Sequence, residues 1–221
     1  MQLKDLLEIQ TGVTAVIGGG GKTTLLRTLG EELAQEGRVL LCTTTKMLPY
    51  PDLPCARNRQ ELLKLQTRCR LLCAGTPVAG TEKITAPDVE MRELAELFDY
   101  VLVEADGSAQ RPLKAHGSHE PVIPAEANQT ICVMGASGFG RPIREAAHRP
   151  VLYAELAGTE QDAVVTVEIA AAVVGRENLH TKIYVNQLDA HPGMDEVRRM
   201  AALLNCPVLA GSLWKGEYFV C

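Results

Sequence analysis

Aromatic residues are scarce in this chain: one Trp, five Tyr and three Phe make up 4% of its 221 residues. That leaves little material for the base-stacking platforms that hold single-stranded nucleic acid. Basic clusters are scarce too. No basic run exceeds Arg198-Arg199, and 27 acidic residues against 22 basic ones leave a formal net charge of −5. This balance argues against an extended nucleic-acid surface. It leaves room for a local anion pocket, for which one lysine and a few backbone amides suffice. Long apolar runs are lacking: Ala15–Ile17, Val101–Val103 and Ala170–Val174 fall far short of the about 20 residues that a membrane span needs. The opening Met1–Glu8, MQLKDLLE, is amphipathic and carries acidic residues. It does not look like a basic start followed by an apolar block, so no secretory leader and a cytoplasmic location are expected.

Seven cysteines, at 42, 55, 69, 73, 132, 206 and 221, are odd in number, and their close pair Cys69 and Cys73 lacks zinc-knuckle spacing. They are expected to be reduced and mostly structural, with Cys42, Cys73 and Cys132 acting as small hydrophobes in strands. No low-complexity tract or internal repeat appears, and an apolar share of 46% fits a globular chain with a real core. One domain spanning 1–221 is expected, with a long loop region at about 107–129.

What is present is alternation. Continuously apolar runs predict strands at Val13–Ile17, Val39–Cys42, Arg70–Ala74, Tyr100–Glu104, Thr130–Met134, Lys182–Val185 and Val208–Leu209. Runs of that kind suit strands buried on both faces of a parallel sheet. Helical spacing of apolar residues marks Thr23–Glu36, Arg59–Gln66, Asp88–Leu97, Thr166–Val174 and Gly193–Leu204. Asp88 reads as a cap, with Met91, Leu94, Ala95 and Phe98 as the buried stripe behind it. The fold class is therefore α/β: three layers, a mostly parallel central sheet and helices on both faces. Pro49–Pro54, Thr76–Pro87 and Gly107–Pro124 interrupt the rhythm as loops at the carboxyl ends of strands, where open α/β sheets bind ligands.

The sharpest motif is VTAVIGGGGKTT, Val13 to Thr24, between a predicted strand and a predicted helix. Such a turn aims successive amides at an anion, and Gly18, Gly19, Gly20 and Gly21 keep side chains out of the way. Lys22 would reach the β- and γ-phosphates from the loop, with no part in the core. The Thr23 hydroxyl would join Mg2+, and Thr24 completes the loop. Val16 stands where the full Walker pattern wants glycine, so the run fits the variant x-G-G-x-G-K-T-T better; that variant's second lysine would fall at Ile17. Thr44, within Thr43-Thr44-Thr45-Lys46, could hold metal water or γ-phosphate. Glu104 and Asp106, in VLVEADG, are competing carboxylates for Mg2+ beside the loop. Asn186 and Asp189, in VNQLD, resemble the N-K-x-D element that reads guanine, with Gln187 in place of lysine, so both GTP and ATP remain candidates. His116, His119 and His148 match no metal-site spacing and are better suited to solvent or hydrogen bonds.

Taken in order, GGGGKTT (Gly18–Thr24), TTTKM (Thr43–Met47), VEADG (Val103–Gly107), RPLKA (Arg111–Ala115), HEPVIP (His119–Pro124), HRP (His148–Pro150) and NQLD (Asn186–Asp189) resemble the selenium cofactor biosynthesis family, also called YqeC-type or selenium-dependent hydroxylase accessory proteins. The block from Glu104 to Pro124 is the specific part of the likeness. The resemblance implies a P-loop NTPase-like fold and a role in maturing molybdenum hydroxylases with a selenium ligand, with such a hydroxylase or its cofactor-maturation proteins as partners. Arg111 and Lys114 would then neutralise phosphate or grip an anionic cofactor. This chain has Ser-Ala-Gln before Arg111-Pro112-Leu113-Lys114, one basic residue fewer than is usual in the family. Two functions of different kind follow: slow Mg2+-dependent hydrolysis of GTP or ATP, or a nucleotide-gated binding module with negligible turnover.

Overall fold

The computed structural model describes residues 1–189 and 193–221. Along the chain, α1 (Leu3–Leu6), β1 (Gly12–Gly18), α2 (Lys22–Leu33) and β2 (Val39–Thr43) are followed by β3 (Cys55–Ala56), α3 (Arg59–Leu65) and β4 (Leu71–Ala74). A short antiparallel ribbon, β5 (Thr76–Pro77) and β6 (Ile84–Thr85), leads to α4 (Met91–Leu97) and β7 (Tyr100–Glu104). Then come β8 (Leu113–Lys114), β9 (Ala127–Gly135), α5 (Ile143–Ala146), β10 (Ala147–His148), α6 (Pro150–Ala157) and α7 (Val167–Glu177). The chain closes with β11 (Lys182–Asn186), α8 (Met194–Ala201), β12 (Val208–Ser212) and β13 (Glu217–Val220).

The main sheet has the order β13-β12-β11-β9-β1-β7-β2-β4-β3. Every neighbouring pair in it is parallel except β12 with β13. Both faces of its central strands are covered, which is why they read as unbroken apolar runs. In β1, Val16 faces α1 and α2 with Leu25, Leu26 and Leu29, while Ala15 and Ile17 face α6, α7 and α8. On that second face Val101 and Val103 of β7 meet Leu62 of α3 and Leu94 of α4. The result is a three-layer α/β fold, as the alternation predicts. Cys42, Cys73 and Cys132 are buried in it as small apolar side chains. Among the described residues no helix is long and apolar enough to cross a membrane.

The chain runs from β7 on one side of β1 to β9 on the other. This reversal opens a crevice at the carboxyl end of β1, the place where such sheets take ligands.

Some elements differ from expectation. Asp88 is not the cap of α4: Glu90 holds that position without a side-chain cap bond, because Val89 packs against the core and bends the chain ahead of the helix. The amphipathic start folds into α1, whose Leu3 and Lys4 amides donate to the Glu32 carboxylate of α2 at 3.1 and 2.7 Å. Helix α6 was not foreseen; Pro150 sits in its first turn, where a missing N–H costs nothing.

Candidate functional site

The glycine loop links β1 to α2, and its shape is imposed by what it touches. A Cβ at Gly20, whose φ is +74°, would meet the Gly135 nitrogen at 2.2 Å, and one at Gly19 would meet the Arg111 carbonyl at 2.5 Å. Side chains are excluded by the protein's own backbone. The loop's early amides are also committed: Gly18 N–H donates to Asp106 Oδ2 at 2.9 Å, Gly19 N–H to the Val133 carbonyl at 2.9 Å, and Gly20 N–H to the Arg111 carbonyl at 3.3 Å. The amides left to face a ligand are those from Gly21 to Thr24, at the start of α2, which no side chain caps.

Lys22 differs from the free, loop-borne cation expected. Its ammonium donates to the Gly18 carbonyl at 2.6 Å and pairs with Asp106 Oδ1 at 3.1 Å, and both side chains are buried. The two candidate carboxylates have separated. Glu104 accepts from the Thr23 hydroxyl at 2.8 Å, and both lie on the wall of a cavity of about 530 Å3. Asp106 points behind the loop, where His116 Nε2 lies at 2.7 Å and Lys114 Nζ at 3.3 Å from Oδ2. Burial raises the Asp106 carboxyl, but the His116 hydrogen bond and the Lys22 and Lys114 charges outweigh it and leave the group at about 2. Burial keeps Glu104 above the usual carboxylate range despite the Lys22 charge and the Thr23 hydrogen bond.

Behind Asp106 lies a chain of charges. His116 Nδ1 contacts Glu177 Oε2 at 2.9 Å, and the His116 amide donates to Glu177 Oε1 at 2.6 Å. Burial lowers the imidazole, yet hydrogen bonds to Asp106 and Glu177 and their charges raise it above its ordinary value. Lys114, expected to grip an anion, is fully buried instead; it bonds the Gly107 carbonyl and Glu120, the latter at 2.7 Å, and Arg149 pairs with the same carboxylate. So Lys114 of RPLKA, Glu120 of HEPVIP and Arg149 of HRP meet in one ion-pair chain whose members do not line the cavity. Glu177, at the end of α7, carried no signal in the sequence.

Arg111 does line the cavity, its guanidinium also donating to the Glu145 carbonyl. Thr24 lines it as well, whereas the Thr44 hydroxyl donates to the Val122 carbonyl at 2.7 Å. Asn186 is a brace: its amide donates to the Gly20 carbonyl at 2.8 Å, and its oxygen accepts from Leu213 N–H at 3.1 Å. Asp189 is exposed beside a separate hollow of about 190 Å3, shared with Ser212 and Lys215, and a hydrogen bond from Ser212 lowers its carboxyl. Gln187 turns to the Ser137 hydroxyl at 2.6 Å on the wall of the larger cavity. His119 is exposed and His148 sits in β10, so the three histidines do not converge. Among the described residues no cluster of His, Cys, Asp or Glu could by itself hold a metal.

Comparison with known proteins follows the same outline. Residues 14–151, covering β1 to the start of α6, match the YqeC protein family. One relative, "Uncharacterized protein YqeC" of Escherichia coli (strain K12), is 34% identical over 171 residues, covering 73% of this chain and 67% of its own length. The matched region contains the glycine loop, both candidate carboxylates and the buried chain from Lys114 to Arg149, and the chain belongs to the YqeC family.

Proposed function

We propose that the chain binds a nucleoside triphosphate, GTP or ATP, with Mg2+ through Gly18–Thr24, hydrolyses it slowly, and thereby serves the maturation of selenium-dependent molybdenum hydroxylases in the cytoplasm. One observation carries the nucleotide reading: the Thr23–Glu104 pair, Lys22 and the uncapped first turn of α2 share one cavity wall. The amides of Gly21 to Thr24 and the positive end of α2 would hold phosphate oxygens. Lys22 would trade the Gly18 carbonyl for phosphate while Asp106 keeps its ammonium in place. A Thr hydroxyl beside one carboxylate suits a Mg2+ that draws its other ligands from phosphate and water, so the residues present fit the ion. Bound there, Mg2+ would neutralise phosphate charge. Arg111, on the same wall, adds a cation for the developing charge.

Glu104 is the single carboxylate among the residues lining this cavity and already accepts from Thr23, so among the described residues no second carboxylate stands there to orient an attacking water. That favours slow turnover, and it equally supports the gated-module reading, in which bound nucleotide orders the Gly107–Pro124 loop, whose first six residues line the cavity, to dock a hydroxylase or partner. A phosphate-release assay paired with melting in GTP, ATP, GDP and CTP, with and without Mg2+, tests both. Stabilisation by a triphosphate with release supports the enzyme; stabilisation without release supports the module; no stabilisation removes both.

A further inference from the structure

The cavity has a second cationic wall. The Met47 amide donates to the Ile84 carbonyl at 3.0 Å and the Ile84 amide returns the bond at 2.9 Å, tying the stretch after β2 to the β5–β6 ribbon. Met47 and Ile84 turn into the core at 4% and 3% exposure. Alternation along extended backbone then puts their neighbours Lys46, Leu48 and Lys83 on the opposite side, and all three line the cavity. The Thr85 hydroxyl fastens the ribbon further by donating to the Thr45 carbonyl at 2.6 Å. The backbone of this wall is fixed before any ligand arrives, and the Lys46 and Lys83 side chains stand exposed on it.

Its charge is not compensated. Lys46, Lys83 and Arg111 line the cavity against the single carboxylate of Glu104, while Lys22 beside them is already paired with Asp106, in a chain whose net charge is −5. Among the described residues neither Lys46 nor Lys83 has a carboxylate within ion-pair distance. The strand order β1-β7-β2 gives the position: Glu104 ends β7, so Lys46, which follows β2, lies across Glu104 from the glycine loop, and the Met47–Ile84 bridge brings Lys83 beside it. They are displaced from the amides of Gly21 to Thr24 that would cradle the nucleotide's phosphates.

We propose that this wall is a second anion site, holding a small molecule through a phosphate or carboxylate group between Lys46 and Lys83. Its placement opposite the terminal phosphate rests on the nucleotide reading; its existence does not. The site gives the protein a second substrate or cargo, and puts that molecule's charged end within the same cavity as the Thr23–Glu104 pair.

The test uses inorganic phosphate as probe on the full chain loaded with Mg2+ and a non-hydrolysable triphosphate, alongside Lys46→Gln/Lys83→Gln. Phosphate should bind the loaded wild type and weaken about tenfold or more in the double variant, with nucleotide affinity little changed. No phosphate uptake, or equal uptake by both proteins, overturns the site. A matching fall in nucleotide affinity also overturns it, because the lysines then serve the nucleotide. If wild type takes no nucleotide at all, the nucleotide reading has failed, and phosphate titration of nucleotide-free Lys22→Met decides the site. Uptake that still depends on Lys46 and Lys83 upholds it, and uptake indifferent to them overturns it.

Discussion

Lys22 and Asp106 meet at 3.1 Å where water hardly reaches, the lysine side chain 4% exposed and the aspartate 0%. A residue assigned to phosphate is thus also part of how the loop folds. Removing one partner of a buried pair leaves an uncompensated charge, which costs about 3–5 kcal/mol when nothing else offsets it. Asp106 keeps His116, Lys114 and the Gly18 amide, so the loss on Lys22→Ala should be smaller, about 1–3 kcal/mol. Urea unfolding should show that loss, and a melting assay should show no stabilisation by triphosphate. An unchanged nucleotide response would remove Lys22 from the binding site.

The carboxylates should divide cleanly. Glu104→Gln keeps the shape and the acceptor for Thr23, so stability should change by less than about 1 kcal/mol, while the Mg2+-dependent part of nucleotide binding is lost. Asp106→Asn strips the charge shared by Lys22, Lys114 and His116 and should destabilise by several kcal/mol, on the order of a broken buried pair. Isothermal titration with and without Mg2+, beside urea unfolding, separates the two. The reverse pattern would make Asp106 the metal-side group.

Acid and base should act on stability through different residues. Asp106 is lowered to about 2 in the folded chain, so its contribution is present above the ordinary carboxylate value and lost as pH falls towards 2. His116 is raised, so its contribution is complete below about 6.5 and drains away as pH rises through its folded value. Unfolding free energy measured from pH 5 to 9 should decline on the alkaline side in wild type and flatten there in His116→Gln. Parallel curves would mean that the imidazole does not carry this charge.

Base choice is expected to turn on Asp189. If this carboxylate accepts from guanine, Asp189→Asn should weaken GTP and favour xanthosine triphosphate, since a mismatched edge leaves polar groups unpaired. Stability should hardly move, because the side chain is exposed. Competition binding gives the answer. Equal competition by ATP and GTP, unchanged by the substitution, would leave Asn186 as a brace for the glycine loop and Asp189 with no part in reading the base.

The glycine loop and the layered sheet were legible because each is local: doubly covered strands are apolar throughout, and four glycines between a strand and a helix have few other uses. The fate of Glu104 and Asp106 was not. They stand two residues apart, and what separates them is supplied by Thr23 and Glu177, far away along the chain, and by Lys114 and His116 on the loop that follows. Lys114 shows the same limit. A lysine in a loop looks free to grip an anion until Glu120 and Asp106 are brought to it by the segment between β7 and β9. Val89 misled through packing, since its contact with the core moved the start of α4 past Asp88.

Gly20 and Gly135 press on each other from adjacent strand ends: a Cβ on Gly135 would lie 3.0 Å from the Gly20 Cα, and a Cβ on Gly20 would strike the Gly135 nitrogen at 2.2 Å. Asn186 then pins the Gly20 carbonyl from a third strand. The loop is therefore a cast of its neighbours, and its motif is not portable. Grafted onto another sheet without a glycine opposite and an amide to pin it, GGGGKTT would keep its letters and lose its form.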